Sequence, residues 1–172
     1  MKKFFIVAVG KNYEIGKDND LLWTIKEDMQ LFKNLTIGEG NNAVVMGRNT
    51  YESIPEKYRP LNSRVNIVVS SSESLHGAHV AKSVDEAIEL AESLGCDNLW
   101  FIGGKRIYEE AVWKCDGASI TRVDCEFEDA DVTLNVLEGI GHYYHKIKDV
   151  DLNDPTYNCQ VEIWERIKYT PE

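Results

Sequence analysis

Five short and almost wholly apolar runs, Phe4 to Val9, Ala43 to Met46, Val65 to Val69, Leu99 to Ile102 and Ala118 to Val123, alternate with stretches of helical periodicity. Runs of this length suit strands covered on both faces, the condition of a parallel sheet between helices. The intervening helices carry their own signals. Ser83-Val84-Asp85-Glu86 is a capping box opening a helix with Val84, Ala87, Ile88 and Ala91 on one stripe and Gly95 just past its end. Ile25, Met29, Phe32 and Leu35 give a second apolar stripe; Ile107, Ala111 and Val112 give a third, starting after Gly103-Gly104. The last third changes character. Tyr143 to Val150 and Gln160 to Lys168 read as strands with no helix between them, so an antiparallel hairpin closes the sheet. The expected class is α/β: one domain over residues 1–172, with a central mixed, mostly parallel sheet, a C-terminal antiparallel hairpin and flanking helices. At 172 residues and 43% hydrophobic, the chain supports one core and is too short for two ordinary domains.

Net charge narrows the partners. At −10, the chain lacks the basic face that nucleic acid or an anionic membrane requires, while local arginines still allow an anionic small molecule. Cys96, Cys115, Cys125 and Cys159 lie far apart with no CxxC pair, which suggests reduced thiols in a cytosolic protein. Met1-Lys2-Lys3 before an apolar run superficially resembles a signal peptide, yet the run ends at Gly10-Lys11-Asn12 without a cleavage pattern and reads as a strand. No apolar run approaches the roughly 20 residues of a membrane helix.

Within this frame Asp28 is out of place. It stands among Trp23, Ile25, Met29, Leu31 and Phe32, where a loop runs into a helix. A carboxylate on an apolar face must turn to water or meet a hydrogen-bonding partner, and a flat, cation-forming ring is such a partner. Its neighbour Glu27 points about 100° away around the helix and should face water. Two glycine turns follow apolar strands: Val44-Val45-Met46-Gly47-Arg48-Asn49-Thr50 and Ile102-Gly103-Gly104-Lys105-Arg106-Ile107-Tyr108. A plain strand-to-helix turn accounts for either alone, and the second lacks the full GxGxxG pattern. Two in one chain favour a dinucleotide, because glycine lets backbone N–H groups approach a diphosphate. Tyr58-Arg59-Pro60-Leu61-Asn62-Ser63-Arg64 is either a solvated loop or a stiffened fork for a carboxylate. Ser70, Ser71 and Ser72 form a turn or donate to a phosphate. The four histidines share no metal-ligand spacing, so no metal site is expected; the acidic run Glu126 to Asp131 reads as a solvated turn, and Trp100, Trp113 and Trp164 as core.

Taken in order, several segments together resemble the dihydrofolate reductase family over about Phe4 to Arg166. They are Ile6-Val7-Ala8-Val9, Ile15-Gly16, Trp23 with Asp28-Met29 and Phe32, Val45 to Pro55, Arg59-Pro60-Leu61-x-x-Arg64-x-Asn66, Ile102-Gly103-Gly104-x-x-Ile107-Tyr108 and Thr121-Arg122. The resemblance implies NADPH-dependent reduction of 7,8-dihydrofolate to tetrahydrofolate by hydride transfer. It also implies a catalytic set of Asp28, Trp23 and Thr121. Substrate contacts would come from Ile6, Val7, Met29, Phe32, Ile54, Leu61, Arg64 and Tyr108. Cofactor contacts would come from Ala8, Ile15, Gly16, Gly47, Arg48, Asn49, Thr50, Ser70, Ser71, Lys82, Ile102, Gly103, Gly104, Lys105, Arg106, Ile107 and Tyr108. The implied partner is the small-molecule substrate, with no nucleic acid and no membrane, and the implied setting is a cytoplasmic monomer. The rival readings are a related pterin or pyrimidine reductase and a noncatalytic folate- or nucleotide-binding module. Three departures stand out. Leu22 replaces the family's proline before the tryptophan, loosening the loop from Gly10 to Thr24. The segment ending Asp129-Ala130-Asp131-Val132-Thr133-Leu134 lacks the family pattern. Lys105 stands where a small residue is common.

Overall fold

The computed structural model describes residues 1–17, 20–72 and 74–168; parts of two loops expected from the sequence, residues 18 and 19 and residue 73, lie outside them. In chain order the elements are β1 (Lys2–Val9), β2 (Glu14–Gly16), α1 (Lys26–Ile37), β3 (Asn42–Gly47), α2 (Arg48–Ser53), β4 (Val65–Val69), β5 (His79–Ala81), α3 (Val84–Ser93), β6 (Asn98–Gly103), α4 (Lys105–Ala111), β7 (Gly117–Val123), β8 (Val132–Thr133), β9 (Tyr144–Leu152) and β10 (Cys159–Arg166). Short 3-10 turns occupy Glu56–Tyr58 and Asn135–His142.

One eight-stranded sheet runs β5-β4-β3-β6-β1-β7-β10-β9. Its first six strands are parallel, and β10 is antiparallel to both β7 and β9. The parallel body explains the unalternating apolar runs, because successive side chains point to opposite faces and both faces are covered. Phe5, Val7, Val9, Val45, Ile67, Leu99 and Phe101 pack in one cluster with Ala87 and Ala91 of α3 and Ile107 and Ala111 of α4. Ile6, Val44, Met46, Val68 and Trp100 pack in another, towards Phe32 and Leu35 of α1 and Tyr51 of α2. A third cluster, Trp23, Ile25, Val123 and Cys159, gathers Ala8, Leu22 and Phe127 at the mouth of the sheet.

The helix at Ser83 forms as its capping box requires: the Ser83 hydroxyl accepts from the Glu86 N–H at 3.1 Å, and Gly95 takes φ +72° beyond the end. The Glu86 carboxylate departs from the motif and accepts from the Lys82 N–H. α1 begins one residue later than its apolar stripe, and Met29 is 53% exposed instead of buried. Thr36 takes the buried position, donating to the Phe32 carbonyl at 2.7 Å. Trp113, expected in the core, is 50% exposed and packs edge-on against Tyr143. β2, β5 and β8 had no sequence signal; each has only two or three residues and is held by pairing to a neighbour.

Candidate active site

The site begins where the sheet parts. β1 and β6 pair from Lys2/Asn98 to Phe5/Phe101 and then separate, whereas β1 and β7 stay paired through Val9/Arg122. Parting of neighbouring strands at their carboxyl ends opens a crevice, the usual ligand position in open α/β sheets. It also leaves carbonyls without a strand partner. Tyr108 of α4 lies under the gap, with its hydroxyl 2.8 Å from both the Ile6 and the Ile102 carbonyl oxygens. Burial first, then the nearby Asp28 charge, push the Tyr108 phenol up, so it stays a donor.

Asp28 sits in the first turn of α1, facing the crevice. Its Oδ1 accepts from the Thr121 hydroxyl at 2.6 Å, and Thr121 is 3% exposed on β7 opposite Ala8. Burial raises the Asp28 pKa from the ordinary carboxylate value, and the Thr121 hydrogen bond acts in the opposite direction. Glu27 lies on the exposed side, where its carboxylate accepts from the Asn153 N–H at 2.6 Å. The adjacent acids are thus separated as helix geometry requires. Asp28 keeps acceptor capacity beyond one hydroxyl, in a partly dry setting suited to a bidentate donor edge.

Phe32, Ile54 and Leu61 are half-buried along the α1 and α2 face, and Ile6 is 8% exposed beneath them. Val7 corrects one expectation. Strand alternation turns its side chain to the α3/α4 core. Met29, at the solvent side of α1, is not among these apolar residues. Arg64 lies at the far end of the groove. Its Nη1 donates to Thr36 Oγ1 at 3.0 Å, its Nε to the Asn62 carbonyl at 2.8 Å and its Nη2 to Asn62 Oδ1 at 3.1 Å. No acidic side chain pairs with it among the described residues. Burial lowers its pKa, yet a guanidinium remains charged at neutral pH. Asn66, given no role from sequence, braces this loop: it accepts from the Leu61 N–H at 2.9 Å and donates to the Leu61 and Arg64 carbonyls at 2.8 and 3.0 Å. A polar residue inside an apolar strand was its signal, since a buried amide must be hydrogen-bonded.

On the other side of the crevice the two glycine turns abut. A Cβ on Gly47 would lie 4.0 Å from both the Gly103 carbonyl oxygen and the Gly104 nitrogen, and one on Gly104 would lie 3.4 Å from Thr50 Oγ1. Gly103 has φ +125°, and a Cβ there would meet the Tyr108 ring at 3.3 Å. Side chains would fill this cradle, which as it stands suits close backbone approach to a diphosphate. Ile107 is buried under Gly47 and serves as its floor, while Ile102 is half-buried at the edge. Arg48, Asn49, Lys82, Lys105 and Arg106 are exposed, and Thr50 is half-buried. Arg48 pairs with Glu52 at 2.7 Å and contacts the Ser72 hydroxyl. The sequence favoured Ser70 and Ser71; Ser72 is the serine brought to the arginine, and Ser70 Oγ accepts from its N–H at 3.1 Å. Ile15 and Gly16 lie in β2, half-buried and paired with β8, and Ile15 packs towards the α3/α4 core. Trp23 is 8% exposed and packs on Phe127, with ring centroids 4.9 Å apart.

Fold and crevice define an α/β scaffold in which a half-buried acid, apolar side chains and an arginine line one side of the crevice and two abutting glycine turns line the other. The dihydrofolate reductase family profile matches residues 3–166, and the chain belongs to that family. It is 42% identical over 137 residues to dihydrofolate reductase of Bos taurus, covering 72% of this chain and 73% of that one. It is 45% identical over 121 residues to the Schistosoma mansoni dihydrofolate reductase, covering 65% of each. It is also 39% identical over 138 residues to the bifunctional dihydrofolate reductase-thymidylate synthase 2 of Arabidopsis thaliana, covering 72% of this chain but 24% of that protein.

Proposed function

We propose that the chain reduces 7,8-dihydrofolate to 5,6,7,8-tetrahydrofolate with NADPH. The observation carrying this reading is Asp28, half-buried in the crevice and held by Thr121 at 2.6 Å, with Arg64, which has no acidic partner among the described residues, at the other end of the same groove. NADPH, when bound, supplies the hydride that a carbon of the pterin imine receives, and a proton completes the reduction at the adjoining nitrogen. Asp28 accepts the amidine-like edge of the pterin, the 2-amino group and ring N3, which orients the ring and favours protonation at N5. Thr121 fixes the carboxylate rotamer. Ile6 and Phe32 wall the ring, Ile54 and Leu61 pack on the aminobenzoyl group, and Arg64 holds a glutamate carboxylate bidentately. Trp23, over Phe127, excludes water from the mouth. Gly47, Gly103 and Gly104 fit a diphosphate, and Arg48 with Ser72 fits a 2′-phosphate, in place of the acid that selects NAD.

A glutamate tail explains why a carboxylate-sized grip lies so far from the ring-binding acid, which a related reductase acting on a ribosyl substrate would not need. The net charge of −10 supports a small-molecule partner over nucleic acid or an anionic bilayer. The four cysteines are free, in keeping with a reducing cytosol, and we take the active form to be a monomer. Purified protein mixed with dihydrofolate and NADPH, followed at the nicotinamide absorbance band and repeated with NADH, tests the reading. NADPH-preferring turnover is the expected result. NADPH binding without dihydrofolate turnover would move the substrate elsewhere.

A further inference from the structure

Glu14 is a carboxylate the reaction does not use, yet it is 3% exposed. An acid so buried, with no cation paired to it among the described residues, must be held by donors. It accepts from the Asn12 N–H at 2.6 Å and from the Phe127 N–H, 113 residues away in sequence. The arm carrying it is folded inward. Gly10 N–H donates to the Glu14 carbonyl at 2.9 Å, Tyr13 N–H to the Gly10 carbonyl at 3.1 Å, and Tyr13 takes φ +64°, unusual for a bulky residue. Gly10 makes room for the contact, since a Cβ there would lie 2.7 Å from both Glu14 Oε1 and Phe127 Cδ2. Further bonds link the same two segments, from Lys11 N–H to the Cys125 carbonyl at 2.9 Å and from Leu134 N–H to the Tyr13 carbonyl at 2.7 Å. Phe127 is therefore gripped at its amide by Glu14, while its ring lies between Trp23, at 4.9 Å, and Tyr157, at 5.9 Å.

We propose that Glu14 is a positioning residue for the active site: its carboxylate fixes the Phe127 backbone so that the Phe127 ring seats Trp23 beside Ala8 at the crevice mouth. The kinetic part of this inference rests on the reductase reading above, and its structural part does not. Glu14 touches neither substrate nor cofactor and acts through Phe127. The link is a carboxylate at the start of β2 answering a backbone amide between β7 and β8, so a change at Glu14 is transmitted to Trp23 through Phe127.

Three variants test it. In Glu14→Gln only one oxygen can accept, and the new amide N–H₂ faces a donor. Misplacing a group near the chemistry by about an ångström costs up to about 100-fold, so kcat is expected to fall about tenfold or more, with the KM for dihydrofolate within about twofold. Hydrogen exchange at the Phe127 amide should accelerate, and the Trp23 emission, isolated by subtracting a Trp23→Phe background, should shift to the red. Phe127→Leu keeps the amide and is expected to reproduce the kcat loss and emission shift with the Phe127 amide still protected. Gly10→Ala should be damaging alone, because its methyl meets both Glu14 Oε1 and Phe127 Cδ2, and less damaging in a Glu14→Ala background, which removes one of these two close contacts. Unchanged Trp23 emission and unchanged kcat per folded molecule in Glu14→Gln and Phe127→Leu, or additive effects at Gly10 and Glu14, would overturn the proposal. A wild-type protein that fails to turn over dihydrofolate would sink the reductase reading, while the exchange and emission measurements would still decide the Glu14 link.

Discussion

The two faces of the sheet use similar apolar residues and differ in how completely helices cover them. On the α3/α4 face Val45, Ile67, Leu99, Phe101, Ala87 and Ala91 are fully withdrawn from water. On the α1/α2 face the strand residues Val44, Met46 and Val68 are equally dry, but Phe32, Leu35, Ile54 and Leu61 above them stay half-buried. Burial left incomplete on folding is available on binding, because apolar area removed from water stabilises a complex as it stabilises a core. On the proposed reading one face holds the fold and the other the ligand, and Asp28 belongs to the second.

Paired truncations give the largest test of this division. Phe101→Ala in the closed core should cost about 3–5 kcal/mol of stability in a denaturant titration. Phe32→Ala on the open face should cost much less, because its ring is already half in water, and should instead raise the KM for dihydrofolate. Equal losses of stability would show that the α1 face contributes as much to the fold as its counterpart.

Asp28→Asn comes next. Turnover is expected to fall by about 100-fold or more, the scale of losing an oriented proton-bearing partner. Stability should move the other way. A folded-state pKa raised by burial means that the native protein binds the proton more tightly than the unfolded chain. The contribution of Asp28 is therefore greatest below the ordinary carboxylate pKa and is lost as pH rises through the raised value. At neutral pH the buried charge is a cost, so Asp28→Asn should melt higher than wild type there, with the gap closing as the solution is acidified. A melting temperature lower at neutral pH and equal in acid would assign the carboxylate to holding the fold.

Which of these features could be read from sequence depends on the range of the physics involved. The strand runs, the Ser83 helix start and the different facing of Asp28 and Glu27 were legible, because periodicity and capping act within a few residues. Val7 was assigned to the ligand by resemblance, yet strand alternation alone would have turned it to the opposite core. Met29 followed a helical stripe that burial then shifted by part of a turn to Thr36. Ser72 over Ser71, the Asn66 brace and the Glu14 contact with Phe127 depend on loops meeting across the fold, for which local pattern carries no information. The parting of β1 from β6 is likewise set by pairing register and by Tyr108, which sequence marked only as a ligand contact.

Arg64→Lys probes the far end of the open face with a smaller effect. The charge is retained while the fork is lost, so the KM for dihydrofolate should rise about tenfold with kcat nearly unchanged. A dihydropterin lacking the glutamate tail should respond equally to both enzymes. Sensitivity of that truncated substrate would mean that Arg64 supports the loop and does not grip the carboxylate.

The finest comparison lies within β7. Ser119 and Thr121 are two residues apart on one strand face, 2% and 3% exposed, and pair laterally with Ile6 and Ala8. The Thr121 hydroxyl has Asp28 as its acceptor, whereas the Ser119 Oγ has no hydrogen-bond partner among the described residues. A buried hydroxyl without a partner is a net cost and a paired one is not, so similar truncations should have opposite signs. Ser119→Ala should raise the denaturation midpoint by about 1 kcal/mol equivalent with an unchanged denaturant slope. Thr121→Ala should lower stability at neutral pH by leaving the Asp28 charge buried with one donor fewer, and should move the Asp28 titration to still higher pH. Two losses of equal size would mean that both hydroxyls serve only as packing, and that the β7 face is not divided between a satisfied ligand site and an unsatisfied core.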